Sequence, residues 1–385
     1  MSTPPVTEHE TEGEPRHVGP AVEPESNGID VWLLRIASAL VLPLLIIAFF
    51  FAFDFLRDED ANKALQVVVA VIAGVFGIWG MYWSMDQLIN LLPEQRGRAV
   101  RPFAFVGPAM AILAFYLVYP AVNTTIISFQ DKDGEVFVGL DNYIRIFTES
   151  TYQVAIRNSL GWVILVPIAA VGIGLAFATM VDKLSRRTES ITKSLIFLPM
   201  AISFVGAAVV FAFIYGFRPE GFGNQIGVLN AIWVYFGADP VNWLQLQPWN
   251  NLFLMVILVW LQTGFSMVIL SSAIKGVPEA LLEAARIDGA SEWQAFWKVT
   301  FPSISSTVVV VWTTVLITTW KVFDIVFVMT GGRDGTQVVA QQMVTEFFTN
   351  NNDGLGAALA VLLFIAVVPI LVINVNRFRA QEATR

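Results

Sequence analysis

The sequence predicts an all-α, polytopic membrane protein with eight transmembrane helices. Three observations point there. Of 385 residues, 56% are hydrophobic and only 14% charged, against about a quarter charged in soluble domains. Eight stretches are mostly apolar over the roughly 20 residues that a bilayer crossing requires. Lys and Arg are spread unequally between alternate loops, as membrane topology demands.

The elements follow in order. Residues 1–30 are rich in Pro, Glu, Thr and Gly. They hold too little apolar surface to offset the entropy of ordering, which predicts a disordered tail. The tail lacks the short basic start of a secretory signal, so the first apolar run reads as a retained anchor. The predicted spans are 32–53, 65–85, 103–129, 159–181, 194–217, 252–274, 303–326 and 355–375. Pro43, Pro167 and Pro199 fall inside them, and membrane helices tolerate Pro where neighbours satisfy the freed backbone groups.

With the N-terminus in the cytoplasm, the inward loops carry Arg96, Arg98, Arg101, Lys183, Arg186, Arg187, Lys193, Lys275, Arg286, Lys298, Arg377, Arg379 and Arg385. The outward loops carry only Arg57, Lys63, Lys132, Arg145, Arg157, Arg218 and Arg333. That bias predicts both termini inside. The outward loop 218–250 mixes Gly, Asn and Pro with Trp233, Tyr235, Trp243 and Trp249. Those aromatics suit an interfacial belt; a gating or docking role is the alternative.

Several function classes are excluded or disfavoured. The chain has no Cys, and its two His, His9 and His17, lie in the polar tail. Disulfides and thiolate metal sites are impossible, and a His-based metal site or triad is disfavoured. No phosphate-binding GxxxxGK[ST] loop occurs, so the chain carries no nucleotide site of that type.

One stretch stands apart. EALLEAARIDGASEWQAFWKVTFPSI, Glu279 to Ile304, holds six charged residues between two apolar runs. Pro278 stands where a helix begins and Gly289 where it stops. Acidic residues come first, matching the helix dipole. Ser291 with Gln294 has the capping-box pattern that opens a second short helix, and Pro302 suits the start of the next span. Ala280, Ala284 and Ile287 recur at helical spacing. A small-faced amphipathic knob of this kind fits a groove on another protein; lying along the membrane surface is the other reading.

The spacing Glu283-Ala284-Ala285, three residues, Gly289, nine residues, Val299-Thr300-Phe301-Pro302 resembles the EAA motif of ABC importer permeases. Val and Phe stand where that motif has Ile and Leu. YPAVNTTIISFQDKDGEVFVGLDNYIRIF (119–147), IRNSLGW (156–162) and KVFDIVFVMTGGRDGTQVVAQQM (321–343) are similar to stretches of the sugar-importing members, of the maltose and α-glucoside type. The resemblance covers about 103–377. It implies a six-helix permease core over 103–377 with a coupling loop at 275–302, two extra N-terminal helices within 31–102, and a short cytoplasmic end at 378–385. It implies that Glu283, Ala284, Ala285, Asp288, Gly289 and Pro302 belong to the segment that docks on a separate ATPase. The implied partners are a second permease subunit, two ATP-binding subunits, an extracytoplasmic sugar-binding protein, the sugar and the lipid bilayer, with no nucleic acid. ATP and Mg would be bound by the ATPase, with no cofactor in this chain, which would be no enzyme itself. The location implied is the plasma (inner) membrane.

Candidates for the substrate path come from polar groups in the spans. A mid-bilayer charge costs about 2.5–3.5 kcal/mol on insertion scales, so a retained one asks for a function. Lys321 and Asp324 end the seventh span three residues apart, a spacing that shares a helix face and permits pairing. Trp320 beside them could stack on a sugar ring; snorkelling of Lys321 to headgroups is the structural alternative. Gln262, Thr263 and Tyr215 offer the amides, hydroxyls and rings that sugars need, and interhelical hydrogen bonding is the ordinary fate of such groups. Asn374 and Asn376 read as capping groups at the cytoplasmic exit.

The implied function is the transmembrane half-path of an ATP-driven sugar importer. The rival is a secondary transporter or channel for small polar solutes. It calls for ion-coupling carboxylates inside spans, and only Asp324 approaches that description.

Overall fold

The computed structural model describes residues 28–90 and 92–382. The expected disordered tail lies almost wholly outside the described residues. Among the described residues the chain is helical, with one isolated β-bridge between Gln130 and Phe137. It divides into two compact units, Met1–Val118 and Tyr119–Arg385.

The first unit holds α1 (Gly28–Arg57), α2 (Lys63–Asn90) and the start of α3 (Glu94–Ile127). The Asn62 side chain accepts hydrogen bonds from the Ala64 and Leu65 N–H groups at 2.9 and 3.3 Å, capping α2. At the other end of α2, Arg101 pairs with Asp86 at 3.1 Å and donates to Asn90 at 2.7 Å.

The second unit begins with the end of α3, a turn, and α4 (Asp141–Thr148). In that turn Asp131 accepts from the N–H groups of Glu135 and Val136 at 3.0 and 3.1 Å. These bonds favour the ionised carboxylate and hold it below its ordinary range. The long α5 (Ser150–Val181) packs most intimately against α9 (Asn250–Lys275). Trp162, Val166 and Ala170 meet Leu254, Leu258, Leu261 and Met267 in one buried cluster. Lipid tails are as apolar as these side chains, so close van der Waals fit holds the pair together. α11 (Glu292–Trp320) lies against both helices. A second cluster joins Ile146 and Tyr152 to Val339, Leu355 and Leu359.

Among the described residues six helices are long and apolar enough to cross a membrane: α2, α3, α5, α9, α11 and residues Asp353–Val372. The predicted span 194–217 is not one straight helix. α6 (Arg186–Ala201) and α7 (Phe204–Ile214) meet at 100°, and counted as one span they would make a seventh. Pro199 sits in a tight 3-10 turn that ends α6, and Ser203 recaps the chain by accepting from the Gly206 N–H at 3.0 Å. Gly264 of α9 makes room for the break. A Cβ there would lie 2.8 Å from the Phe197 Cα and closer still to the Ile196 carbonyl oxygen.

The loop predicted over 218–250 contains a short helix, α8 (Val228–Tyr235). Tyr235, Trp233 and Trp249 are exposed there as an interfacial belt requires, but Trp243 is buried against Trp233 and Phe253. Three further helices complete the unit: α12 (Asp324–Met329), α13 (Val339–Phe348) and α14 (Asp353–Glu382). Asn376 is exposed near the end of α14, and the Asn374 side chain lies outside the described residues.

Candidate functional site

The charged stretch folds as helix, turn, helix. α10 (Glu279–Ile287) follows Pro278. Asp288 caps it, and Gly289 takes a left-handed φ of +81° that other residues avoid. The Gly289 N–H bonds the Arg286 carbonyl at 3.0 Å and the Ala290 N–H bonds the Ala285 carbonyl at 3.0 Å, a complete Schellman closure. Ser291 and Gln294 then bond reciprocally: the Gln294 N–H to Ser291 Oγ at 3.3 Å, the Ser291 N–H to Gln294 Oε1 at 2.9 Å. Arg286 reaches across the turn to Glu292 at 3.3 Å. Glu283, Ala284, Asp288 and Gly289 are exposed and Ala285 is half-buried. Among the described residues Glu283 has no ion pair.

The next span departs from expectation. Pro302 does not begin it, because α11 runs unbroken from Glu292 and widens into a π turn over Phe296–Thr300. Proline lacks an N–H and crowds the carbonyl four residues back. One wide turn ahead of it absorbs the mismatch.

Among the described residues α10 packs mainly against the first turns of α11. Ile287 is 86% and Trp293 71% exposed, on a motif whose turn is braced by the Gly289 closure and the Ser291–Gln294 capping box. A rigid loop that presents large apolar side chains marks an interaction surface. Its root is anchored too: Lys275, the last residue of α9, pairs at 2.6 Å with Glu189 of α6, which also pairs with Lys193.

The substrate-path candidates do not converge as one cluster. Tyr215 is buried, donates to the Phe253 carbonyl at 2.9 Å and meets Phe211 and Phe253 edge-on. Trp320 is buried and donates from Nε1 to the Leu363 carbonyl at 3.0 Å, tying α11 to α14. Both rings are committed to packing. Thr263 donates within its own helix to Val259 at 2.7 Å. Gln262 is 8% exposed and its amide makes no hydrogen bond among the described residues; one turn on, the buried Ser266 hydroxyl is also unpartnered. Lys321 and Asp324 do not share a helix face. α11 ends at Trp320, Lys321 is its cap, and Asp324 opens α12. No ion pair joins them.

Sequence reasoning missed what lies beside Lys321. Thr314 and Thr318 precede it by seven and three residues, spacings that fall on one side of a helix. Thr314 and Lys321 are exposed and Thr318 half-buried. The two hydroxyls donate to the Val310 and Thr314 carbonyls at 2.8 and 3.0 Å, and the cation that ends the stripe is poor lipid contact. The periodicity of Thr314, Thr318 and Lys321 was the available signal.

Residues 170–381 match the family described as "Binding-protein-dependent transport system inner membrane component". This chain belongs to that family. As a permease it is a multi-pass membrane protein and the inner-membrane component of an ABC transporter. It is 51% identical over 281 residues to the osmoprotective compounds uptake permease protein GgtC of Synechocystis, covering 73% of this permease and 100% of that protein. It is 42% identical over 329 residues to the alpha-glucoside transport system permease protein AglF of Rhizobium meliloti, covering 82% and 97%. Among solved structures, the fold is similar to a chain of a bacterial ABC transporter that imports the acidic polysaccharide alginate. The TM-score is 0.65 at 20% identity, over 74% of this permease and 99% of that chain.

Proposed function

We propose that this permease forms half of the translocation path of an ATP-driven importer of sugars or glucosides. Both termini lie in the cytoplasm, and α1 and the bent α6–α7 pair complete eight crossings. The coupling segment is α10 with its glycine turn. Glu283, Ala284, Ala285, Asp288 and Gly289 present it to a separate ATPase, and Pro302 sets the wide turn behind it. ATP and Mg belong to that ATPase. A second permease subunit and an extracytoplasmic binding protein complete the assembly.

The observation that carries this reading is the braced, exposed loop at 279–295. The Ser291 cap stabilises the start of the second helix by about 0.5–2 kcal/mol and the Gly289 closure ends the first, and a merely surface-lying linker needs no such fixing. Closure of the ATPases moves the docked loop, and the spans rock so that the path opens outward. Lys321 on α11 offers a donor to sugar hydroxyls and the Gln262 amide on α9 both a donor and an acceptor, while Thr314 and Thr318, whose hydroxyls donate within their own helix, offer acceptors only. Tyr215, Trp320, Thr263 and Asp324 shape the wall behind them.

The test is uptake of an α-glucoside panel by the reconstituted complex. Accumulation that requires ATP and the ATPase supports the reading. Accumulation driven by an ion gradient, with no ATPase present, overturns it in favour of a secondary transporter.

A further inference from the structure

One cavity lies apart from the coupling loop and the α11 stripe. It sits where the starts of α5 and α9 meet the 330–338 loop, and its volume is about 340 Å³. Its lining includes Arg157, Gln247, Asn250, Asn251, Asp334 and Gly335.

The floor of this cavity is fixed by satisfied amides. Asn158 donates to the carbonyls of Gly335 and Gln337 at 2.7 and 2.8 Å. Asn250 donates to the Asp334 carbonyl at 2.7 Å, and Asn251 to the Gly335 carbonyl at 3.2 Å. The amide oxygens are engaged as well: Asn251 accepts from Trp162 Nε1 at 3.2 Å, and Asn250 accepts from the Asn251 N–H at 3.0 Å. Asp334 and Gly335 both hold positive φ, 55° and 75°, a conformation this clamp over-determines.

The rim is different. Arg157, Gln247 and Asp334 are exposed. Among the described residues their side chains make no hydrogen bond or ion pair, although Arg157 and Asp334 line the same cavity with opposite charges. A guanidinium only donates, a carboxylate only accepts, and an amide does both. Set around a rigid floor, these three groups match the mixed donor–acceptor pattern of adjacent sugar hydroxyls. One positive and one negative charge leave no net charge to favour an ion. The volume lies at the low end of about 300–1,000 Å³ for small-ligand sites, which suits one ring rather than a chain.

We propose that this cavity is a subsite at the outer mouth that holds one ring of a neutral glycoside in transit, before the ring enters the membrane path. It rests on the importer reading and adds a stopping point to it.

The experiment uses the complete reconstituted complex with its ATPase and binding protein. Asp334→Asn, Arg157→Gln and the double variant are compared with wild type and with Lys132→Gln, an outer-loop charge away from the cavity. Copurification of the partners checks assembly. Loss of one charged hydrogen bond to the ring should lower uptake at subsaturating α-glucoside about ten-fold in each single variant. The double variant should lose less than the product of the two, because both groups hold one ring. ATP hydrolysis stimulated by the binding protein should stay within about two-fold, and Lys132→Gln should match wild type. Unchanged uptake in both single variants overturns the subsite. A parallel fall of uptake and stimulated ATP hydrolysis also overturns it, because the rim would then be docking a protein. A wild-type complex that moves no glycoside under ATP overturns the importer reading itself.

Discussion

Asn158 of α5 donates a 2.7 Å hydrogen bond to the carbonyl oxygen of Gly335, 177 residues further along the chain. The bond joins two of the stretches by which the sequence resembled sugar permeases, IRNSLGW and TGGRDGT. Its partner bond to Gln337 at 2.8 Å uses the second amide hydrogen of the same side chain. The 330–338 loop is thereby tied to the starts of two spans rather than left to follow its own preferences.

Asn158→Ala should therefore free the loop. Asn158 is 9% exposed, and leaving partly buried carbonyls unmet costs about 1–3 kcal/mol. The expected outcome is a lower melting temperature of the detergent-solubilised complex and reduced uptake. Asn158→Asp should be no better, because a carboxylate cannot donate to either carbonyl. A melting temperature equal to wild type in both variants would show that the clamp is not what holds the loop.

Gly289→Val tests the proposed coupling segment. Nothing lies within 4 Å of a Cβ at this position, so the effect comes from the backbone at φ +81° and not from a clash. A β-branched residue held left-handed is disfavoured by about 1–2 kcal/mol, enough to shrink the folded loop's population roughly five- to thirty-fold. Copurification of the ATPase should fall while membrane insertion stays normal, and Gly289→Asn should retain most of the association. Wild-type copurification by Gly289→Val would count against docking through this turn.

Much of this architecture was legible in the sequence because its signals are local. The charged loop at 279–295 is encoded by Pro278, Gly289, Ser291 and Gln294, each acting within a turn of its own position, and the structure keeps that order. Apolar runs located the long helices for the same reason. The failures involve neighbours distant in the chain. The break at Pro199 depends on Gly264, which lies in another helix. Trp320 turns inward because the Leu363 carbonyl awaits it. The Lys321–Asp324 pairing assumed one continuous helix, and the break after Trp320 removed it.

Gly264→Ala should damage the permease without touching any polar group. The added methyl would fall within contact of the Ile196 carbonyl and the Phe197 backbone, neither of which is a flexible tip. Forcing a methyl into such a fit costs about 1–3 kcal/mol. The expected result is a lower thermal stability in detergent, with Gly172→Ala, where no atom lies within 4 Å, as the neutral control. Equal melting curves for the two variants would mean that the α6–α7 break can slide away from α9.

Trp320 and Lys321 are adjacent in sequence and should separate in function. Trp320→Phe keeps one aromatic ring but loses the indole N–H and its bond to Leu363, about 0.5–1.5 kcal/mol for one hydrogen bond, together with part of the buried volume. It should lower stability and leave the dependence of uptake on sugar concentration unchanged. Lys321→Ala removes an exposed side chain with no ion pair among the described residues, so the melting curve should not move. If Lys321 closes a solute-facing stripe with Thr314 and Thr318, uptake should fall about ten-fold, the effect of one charged hydrogen bond lost in transit. Thr318→Val should act in the same direction with a smaller effect. The reverse pattern, with transport kinetics tracking Trp320 and indifferent to Lys321, would move the path off this face of α11 and onto the wall that α11 shares with α14.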